Sequence, residues 1–193
     1  MSATTTRERL IDSATHRFAA DGVLGTTLEE VRADADASVG AVYHHFPDKE
    51  ALVDAVRERA LGDFQAAFAA ELERHRDAEE GIRAMVRFQV RWCFANPEAA
   101  KLLLEGRPRR AAELNRGFFD RVQAWWQIHA HYGTVHDHDF ALVHAIWLGP
   151  ALELTRLALA GATRRPDRAT VQALADAAWA ALADNPPPQE AAQ

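Results

Sequence analysis

Residues 26–52 read TTLEEVRADADASVGAVYHHFPDKEAL, and this stretch contains the most specific pattern in the chain. It begins with Thr26 and Thr27, each of which stands three residues before a glutamate. A threonine and a glutamate at this spacing form a capping box, in which each side chain accepts a hydrogen bond from the other residue's backbone N–H. The pattern predicts a short helix over residues 28–35.

A turn and two further helices are predicted to follow. Asp36 and Ala37 favour a tight turn, and Ser38 is a typical N-cap for a second short helix over residues 39–45. A proline then interrupts the pattern, and Asp48 caps a long helix. Two short helices joined by a turn of three or four residues are typical of a helix-turn-helix. The stretch therefore predicts a DNA-binding module.

The second short helix carries different residue types on its two sides. Val42 and Phe46 lie four residues apart and are predicted to face the core. Small or polar residues are left on the outer side: Ser38, Gly40, Ala41, Tyr43, His44 and His45. Small side chains let the helix backbone approach a bulky surface, and the N–H groups at a helix N-terminus attract phosphate oxygens. The outer side is the predicted DNA-contacting surface.

The rest of the chain has the same helical character. Apolar residues recur about every 3.6 positions and strand-like alternation is absent, which predicts an all-α protein of about nine helices. We expect a three-helix DNA-binding domain at residues 1–50 and a helical bundle at residues 51–184. Residues 185–193 begin with three prolines in a polar segment, which predicts a disordered tail.

Composition argues against several classes of function. Cys93 is the only cysteine, which excludes an intrachain disulfide and cysteine-rich zinc sites. The N-terminus lacks the apolar core of a signal peptide, and no apolar run approaches the ~20 residues of a membrane span, so we expect a cytoplasmic chain. No glycine-rich phosphate loop, HExxH motif or nucleophile elbow is present, so we expect neither an enzyme nor a cofactor.

The charge balance bears on DNA binding. The chain has a formal net charge of −6, and its first 50 residues hold nine acids and five bases. A DNA-binding surface usually carries a cluster of basic residues. DNA binding by this chain therefore has to depend on the local placement of a few groups.

The run from Thr26 to Leu52 resembles the DNA-binding region of the TetR/AcrR family of transcriptional regulators. The resemblance covers roughly residues 7–52, where a capped helix, a Gly-x-x-Tyr-x-x-Phe spacing and a Phe-x-x-Lys link occur together. It implies a homodimeric repressor whose recognition helices enter successive major grooves of double-stranded operator DNA. It also implies a C-terminal domain that binds a small-molecule effector and thereby changes DNA affinity.

The resemblance further implies roles for particular residues. Thr27 and Lys49 correspond to phosphate contacts, and Tyr43 and His44 to a pair that reaches phosphate or base edges. The surface of the recognition helix that approaches DNA corresponds to Ser38, Val39, Gly40 and Ala41.

Two positions depart from the family pattern. Asp36 stands in the turn where glycine is usual, and an acid near DNA is expected to lower affinity. Arg32 stands where alanine is usual. We expect Arg32 to supply a phosphate contact that partly offsets the nearby acids.

Beyond the fourth helix we expect a fifth at about residues 79–95, a sixth at 97–105 with Asn96 as its N-cap, a seventh at 109–131, an eighth at 138–160 interrupted at Pro150, and a ninth at 167–183. Aromatic residues are concentrated in the fifth, seventh and eighth of these helices. Helical bundles build ligand cavities between facing helices, so we expect a cavity for a mostly apolar effector, widened by a kink at Pro150. The residues predicted to line it are Phe88, Arg91, Trp92, Phe118, Val122, Trp125, His129, Trp147 and Glu153. The alternative is that the aromatic side chains form a solid core.

The eighth and ninth predicted helices are largely apolar on several sides. A helix of this kind has to be buried on more than one face. We expect these two helices of each subunit to form a four-helix seam in a homodimer.

Histidines and aspartates alternate between residues 129 and 144. Imidazole and carboxylate groups bind zinc or nickel, although a loop of this composition is more often solvated. A metal-binding helical protein or enzyme that uses the His129–His144 cluster is therefore the alternative function.

Overall fold

The computed structural model describes residues 4–184, and within them the chain is all-α, as predicted. The described part contains nine helices, and its only β-pairing is an isolated bridge between Val135 and Ala183. The helices are α1 Thr6–Gly25, α2 Leu28–Asp34, α3 Val39–His45, α4 Lys49–Leu72, α5 Ala78–Ala95, α6 Pro97–Glu105, α7 Ala111–His131, α8 Phe140–Leu159 and α9 Arg168–Leu182. The predicted tail at residues 185–193 lies outside the described residues.

Most helix ends follow the predicted signals, with two exceptions. Asn96 precedes α6, but its side chain does not make the capping hydrogen bond that we expected. α8 is one continuous helix through Pro150, so the predicted interruption there is wrong. Gly22 does break the regular geometry of α1, with φ at 77°, a value that glycine adopts without strain.

The chain divides into two compact units. Within the described residues, the first unit contains residues 4–64 and 93–115, and the second contains residues 65–92 and 116–184. The first unit therefore extends beyond the domain of residues 1–50 that the sequence suggested. One reason is α6, which packs on α1, where the His16 ring nitrogen lies 2.8 Å from a Glu98 carboxylate oxygen.

The core of the first unit holds the helix-turn-helix in place. Phe18 of α1, Val31 of α2, and Val42 and Phe46 at α3 are at most 2% exposed and belong to one apolar cluster. The inward orientation predicted for Val42 and Phe46 is confirmed. Leu52 of α4 belongs to the same cluster, so the start of the long helix is fixed to the module.

The second unit combines an aromatic interior with an apolar helix, α8, that is only partly buried. α8 packs on α9, and 28% of the most apolar window of α8 is buried. Among residues 4–184, α8 alone has the length and composition to cross a membrane, which departs from the expectation that no segment approaches that length. A helix that is buried in a protein interface has the same composition.

Candidate DNA-binding surface and aromatic cluster

The start of α2 is fixed by the predicted capping box. The Thr27 Oγ1 atom accepts a hydrogen bond from the Glu30 N–H at 3.2 Å, and the Glu30 carboxylate accepts one from the Thr27 N–H at 2.7 Å. The Thr27 hydroxyl also donates to this carboxylate at 2.8 Å. These bonds lower the pKa of Glu30, so its carboxylate remains charged at the helix N-terminus, where a negative charge is stabilising.

The turn between α2 and α3 requires an unusual backbone conformation. Asp36 has φ at 48°, and it is the only non-glycine residue with a positive φ in the described part of the chain. Asp tolerates the left-handed region better than most residues. Beyond the turn, Ser38 caps α3, because its Oγ atom accepts a hydrogen bond from the Ala41 N–H at 3.2 Å.

Arg32 closes the same turn from the side. Its guanidinium donates to the Ala37 carbonyl oxygen at 2.8 Å and to the Glu29 carboxylate at 2.5 and 2.9 Å. These bonds lower the pKa of Glu29. The guanidinium thus links the first turn of α2 to the residue before the cap of α3, and a DNA phosphate would have to compete with these partners.

The outer side of α3 is accessible along its length. Val39 and Tyr43 are 55% and 58% exposed, and Ser38, Gly40 and His44 are also exposed, whereas Ala41 is half-buried. Lys49 is half-buried at the first residue of α4. The structure therefore presents the predicted residues of α3 as one outward surface.

Gly40 has no partner within the protein that would require a glycine. A Cβ atom built at this position meets nothing within 4 Å, and the backbone φ is not positive. A glycine inside a helix is destabilising by up to about 1 kcal/mol relative to alanine. The described structure therefore gives no internal reason for a glycine at this position.

Acidic residues around the module have basic partners that sequence reasoning missed. Arg17 of α1 binds the Asp34 carboxylate with two hydrogen bonds of 2.5 and 3.0 Å and lowers the pKa of Asp34. Arg109 contacts Glu50 and also lies 3.1 Å from an Asp54 oxygen. The partners in these pairs are 17 to 59 positions apart in the sequence, so no local pattern reveals them. The pairs reduce the negative charge near α3 and α4.

A further arginine that the sequence did not single out lies beside the end of α3. The Arg7 guanidinium carbon is 5.5 Å from the centre of the Phe46 ring. A cation over an aromatic face is held there by the ring's quadrupole. Arg7 is exposed and therefore adds a positive charge next to the recognition helix.

An aromatic cluster fills the interior of the second unit. It is formed by Phe68, Phe88, Phe118, Trp125, Trp126 and Trp147, whose neighbouring ring centres lie 5.3–6.4 Å apart. Both Trp125 and Trp126 have their ring centres 5.8 Å from that of Trp147. Adjacent residues lie about 100° apart on a helix, which predicts that only one of this pair faces the interior. That prediction is wrong, because two residues of one helix turn can flank a large ring from either side.

The three indole N–H groups of the cluster differ in their hydrogen bonds. Trp125 donates to the His75 carbonyl oxygen at 2.9 Å, and Trp147 donates to the Ile82 carbonyl oxygen at 3.0 Å. The Trp126 N–H is buried without an acceptor among the described residues. A buried donor without a partner costs about 1–3 kcal/mol, which makes Trp126 the group in this cluster with most to gain from a polar ligand atom.

The other predicted ligand residues are distributed unevenly. Val122 is buried, and His129 is 9% exposed with its ring 4.3 Å from that of Trp125. Trp92 is half-buried. Glu153 is not brought to the cluster, because it is exposed and pairs with Arg156. Arg91 is also exposed and pairs with Glu71, but its guanidinium carbon lies 5.6 Å from the centre of the Phe88 ring.

The histidine-rich segment and the cysteine offer no reactive site. Among residues 4–184, no group of three histidine, cysteine, aspartate or glutamate side chains is placed to hold a metal ion. The alternative of a metal site at the His129–His144 cluster therefore has no support in the described part of the chain. Burial raises the pKa of the Cys93 thiol to about 12, so the reactive thiolate is disfavoured.

Comparison with known proteins relates the chain to transcription regulators. The family model "Bacterial regulatory proteins, tetR family" matches residues 10–56. The chain is 30% identical over 168 residues to the HTH-type transcriptional repressor AcnR of Corynebacterium diphtheriae, and this match covers 84% of the chain and 86% of that protein.

Other relatives match in the sequence of one region or in the fold. The HTH-type transcriptional regulator BetI of Burkholderia thailandensis is 39% identical over 85 residues, which span 44% of this chain and 42% of BetI. A crystal structure of a TetR family transcription regulator from Marinobacter aquaeolei VT8 is similar with a TM-score of 0.77. That similarity covers 93% of this chain and 96% of the other at 19% identity.

Proposed function

Because the chain belongs to the TetR family of transcription regulators, and is therefore not an enzyme, we propose that it is a cytoplasmic, homodimeric repressor. In this proposal the outer side of α3 binds operator DNA. A small, mostly apolar molecule binds to the aromatic cluster and releases the repressor. The relative that matches over most of its length is itself named a transcriptional repressor.

The DNA-binding part depends mainly on Gly40. It lies between exposed Val39 and half-buried Ala41, with open space where its side chain would be. A DNA backbone that approaches α3 at this point would use that space. The proposed contacts are Ser38, Val39, Gly40, Ala41, Tyr43 and His44 on α3, with Thr27, Arg32 and Lys49 as phosphate contacts and Arg7 as a further one.

The experiment that tests this part compares two glycines. Gly40→Ala removes a glycine from a helix and adds a methyl group on the proposed DNA side, so we expect slightly higher stability but at least tenfold weaker operator binding. Gly62→Ala in α4 is the matched control, because a Cβ there also meets nothing within 4 Å. Equal operator affinity of the two variants, measured by fluorescence anisotropy, would reject this DNA surface.

The phosphate contacts have a separate signature. A lysine that neutralises one phosphate contributes about one unit to the slope of log affinity against log salt concentration. Lys49→Ala should therefore weaken binding to all DNA sequences similarly and lower the slope by about one unit. An unchanged slope would remove Lys49 from the contact set.

The dimer part is supported by the incomplete burial of α8. Only 28% of its most apolar window is buried within the chain, although it has the composition of a core helix. Obligate interfaces commonly bury more than about 2,000 Å² and resemble a divided core. Sedimentation equilibrium should find a dimer at micromolar concentration, and a monomer there would contradict the α8–α9 seam.

The effector part is supported by the aromatic cluster and the unpartnered Trp126 donor. The rings touch each other, so a ligand that binds among Phe88, Phe118 and Trp147 has to separate them and alter tryptophan fluorescence. α4 is one continuous helix with residues in both units, which gives a physical route from the cluster to the start of α4.

The effector is tested by reciprocity. A ligand that lowers operator affinity must itself bind less tightly when operator DNA is present, by the same factor. Trp126→Phe removes the free donor but keeps an aromatic ring, and it should weaken a ligand with a hydrogen-bond acceptor. A ligand that shifts fluorescence without changing operator affinity would separate binding from regulation and reject the effector role.

A further inference from the structure

We propose that a cleft between α5 and the start of α9 binds a small anion that carries two or more negative charges, either a phosphate compound or a dicarboxylate. The cleft has a volume of about 410 Å³, which falls within the range of small-molecule sites. Four arginines line it, namely Arg87, Arg91, Arg165 and Arg168. It lies wholly within the second unit, and no aromatic-cluster residue lines it, although the Arg91 guanidinium carbon is 5.6 Å from the centre of the Phe88 ring.

The charge of the cleft is opposite to that of the chain. The four arginines share the lining with one acid, Asp167, so the formal charge there is +3 in a chain of net charge −6. The Asp167 carboxylate accepts a hydrogen bond from the Thr170 N–H at 2.8 Å and caps α9. It therefore serves the helix end as well, and the arginines outnumber it four to one in the lining of the cleft.

The pairing between α5 and α9 explains how the positive charge arises. Arg83 forms an ion pair with Asp176, and four residues further along α5 the Arg87 guanidinium donates to the neutral Gln172 amide oxygen at 3.3 Å. A further step of four residues, forward along α5 and backward along α9, reaches Arg91 and Arg168. The pairing thus changes from opposite charges to a neutral partner and then to like charges, and it does so where the cleft opens.

Gln172 is oriented by bonds on both sides. Its amide nitrogen donates to the Asp176 carboxylate at 2.9 Å, so its oxygen is turned towards Arg87. A neutral oxygen uses one of the five N–H donors of a guanidinium and does not cancel its charge. Arg91 lies 3.1 Å from an oxygen of Glu71; the Arg91 side chain is 62% exposed and that of Glu71 is 18% exposed, so an anion in the cleft would share this guanidinium with Glu71.

The geometry of guanidinium groups sets the ligand class. A planar guanidinium binds a carboxylate or a phosphate with two parallel hydrogen bonds to two oxygens, whereas a simple halide offers one acceptor atom. Two arginines from α5 and one from the start of α9 can address two anionic groups of one molecule. The N-terminus of α9, which is the positive end of the helix dipole, also favours a negatively charged ligand. The ligand is therefore a compact dianion or polyanion.

Isothermal titration calorimetry on the full chain, without DNA, tests the proposal. The probes are inorganic pyrophosphate and succinate, each titrated at low ionic strength. At least one probe should bind saturably with one site per chain, and the probe with the higher affinity identifies phosphate or carboxylate as the preferred group. Failure of both probes to bind saturably would overturn the proposal and would leave the DNA-binding proposal unaffected.

Three variants locate the site. Arg168→Gln should weaken the better probe about tenfold or more, because it removes a charged hydrogen-bond donor. Gln172→Glu should also weaken it, because it gives Arg87 the acid partner that Arg83 already has. Arg121→Gln is the matched control, since Arg121 pairs with Glu73 outside the cleft, and its affinity should stay within twofold. Equal losses in Arg121→Gln and Arg168→Gln would show unspecific attraction and overturn the site.

A second measurement guards against misfolding of a variant. Pyrophosphate or succinate should raise the midpoint of thermal unfolding of the wild type, since a ligand that binds only the folded state stabilises it. The same concentration should raise the midpoint of Arg121→Gln equally and that of Arg168→Gln much less. An equal rise in all three proteins would contradict binding in the cleft.

Discussion

The helix-turn-helix module and the aromatic cluster are held together in different ways. The module has a buried apolar core too, but the hydrogen bonds that shape its helix cap and its turn join residues three to five positions apart, such as Thr27 with Glu30 and Arg32 with Ala37. In the cluster, Trp125 and Trp147 donate to carbonyl groups 50 and 65 residues away. Local bonds position an exposed surface, whose side chains can be substituted with a small loss of folding free energy. The cluster depends on burial, and the loss of one of its rings destabilises the whole unit.

The largest expected effect concerns the cluster. Trp147 is 1% exposed and contacts three other rings, so Trp147→Ala should lower the free energy of unfolding by about 3–5 kcal/mol. Tyr43→Ala on α3 is the control, since an exposed side chain contributes about 0.5 kcal/mol or less. Urea unfolding at one protein concentration measures both. Similar losses in the two variants would erase the contrast between the regions.

The same contrast explains what could be predicted from the sequence. α3 and α6 begin and end where the sequence indicated, and the inward direction of Val42 and Phe46 follows from their spacing of four. These features depend on neighbours within one or two turns. A local pattern contains them completely.

The features that escaped prediction depend on distant partners. The pairing of Arg17 with Asp34 and the positions of Arg91 and Glu153 at the surface are decided by which helices pack together. The direction of a side chain on a long helix shifts by 100° for each residue, so a small error in the helix phase turns a predicted ligand residue outward. The unpartnered N–H of Trp126 is visible only in three dimensions.

Two identical caps can separate stability from DNA binding. Thr5 and Thr27 each form a capping box, with hydrogen bonds of 2.7, 2.8 and 3.2 Å to a glutamate three residues on. Thr5→Ala and Thr27→Ala should each lower the free energy of unfolding by about 1 kcal/mol. Operator affinity, measured by anisotropy, should fall further in Thr27→Ala. Equal affinities would limit Thr27 to its role as a cap.

A smaller effect is expected in the turn. Asp36→Gly relieves a positive φ and removes a negative charge beside α3, so stability should change by less than about 1 kcal/mol while operator affinity rises several-fold. Asp36→Asn tests the charge alone, because asparagine also tolerates the left-handed region. If Asp36→Asn leaves the affinity unchanged, the conformation of the turn rather than its charge limits DNA binding.

The smallest effect concerns a proton in the aromatic region. Burial lowers the pKa of His129, although the charge of Asp77 acts in the opposite direction. The unfolded chain, with an ordinary histidine pKa of about 6.5, therefore binds more protons than the folded chain near that pH. This contribution to stability is present above pH 6.5 and is lost as the pH falls towards the lower pKa of the folded state.

His129→Gln removes the titration, so its difference in unfolding free energy from the wild type should shrink between pH 7.5 and 5.5. The same substitution at exposed His131, on the same helix, is the control, and a constant difference for His129→Gln would show that this imidazole is equally easy to protonate in both states.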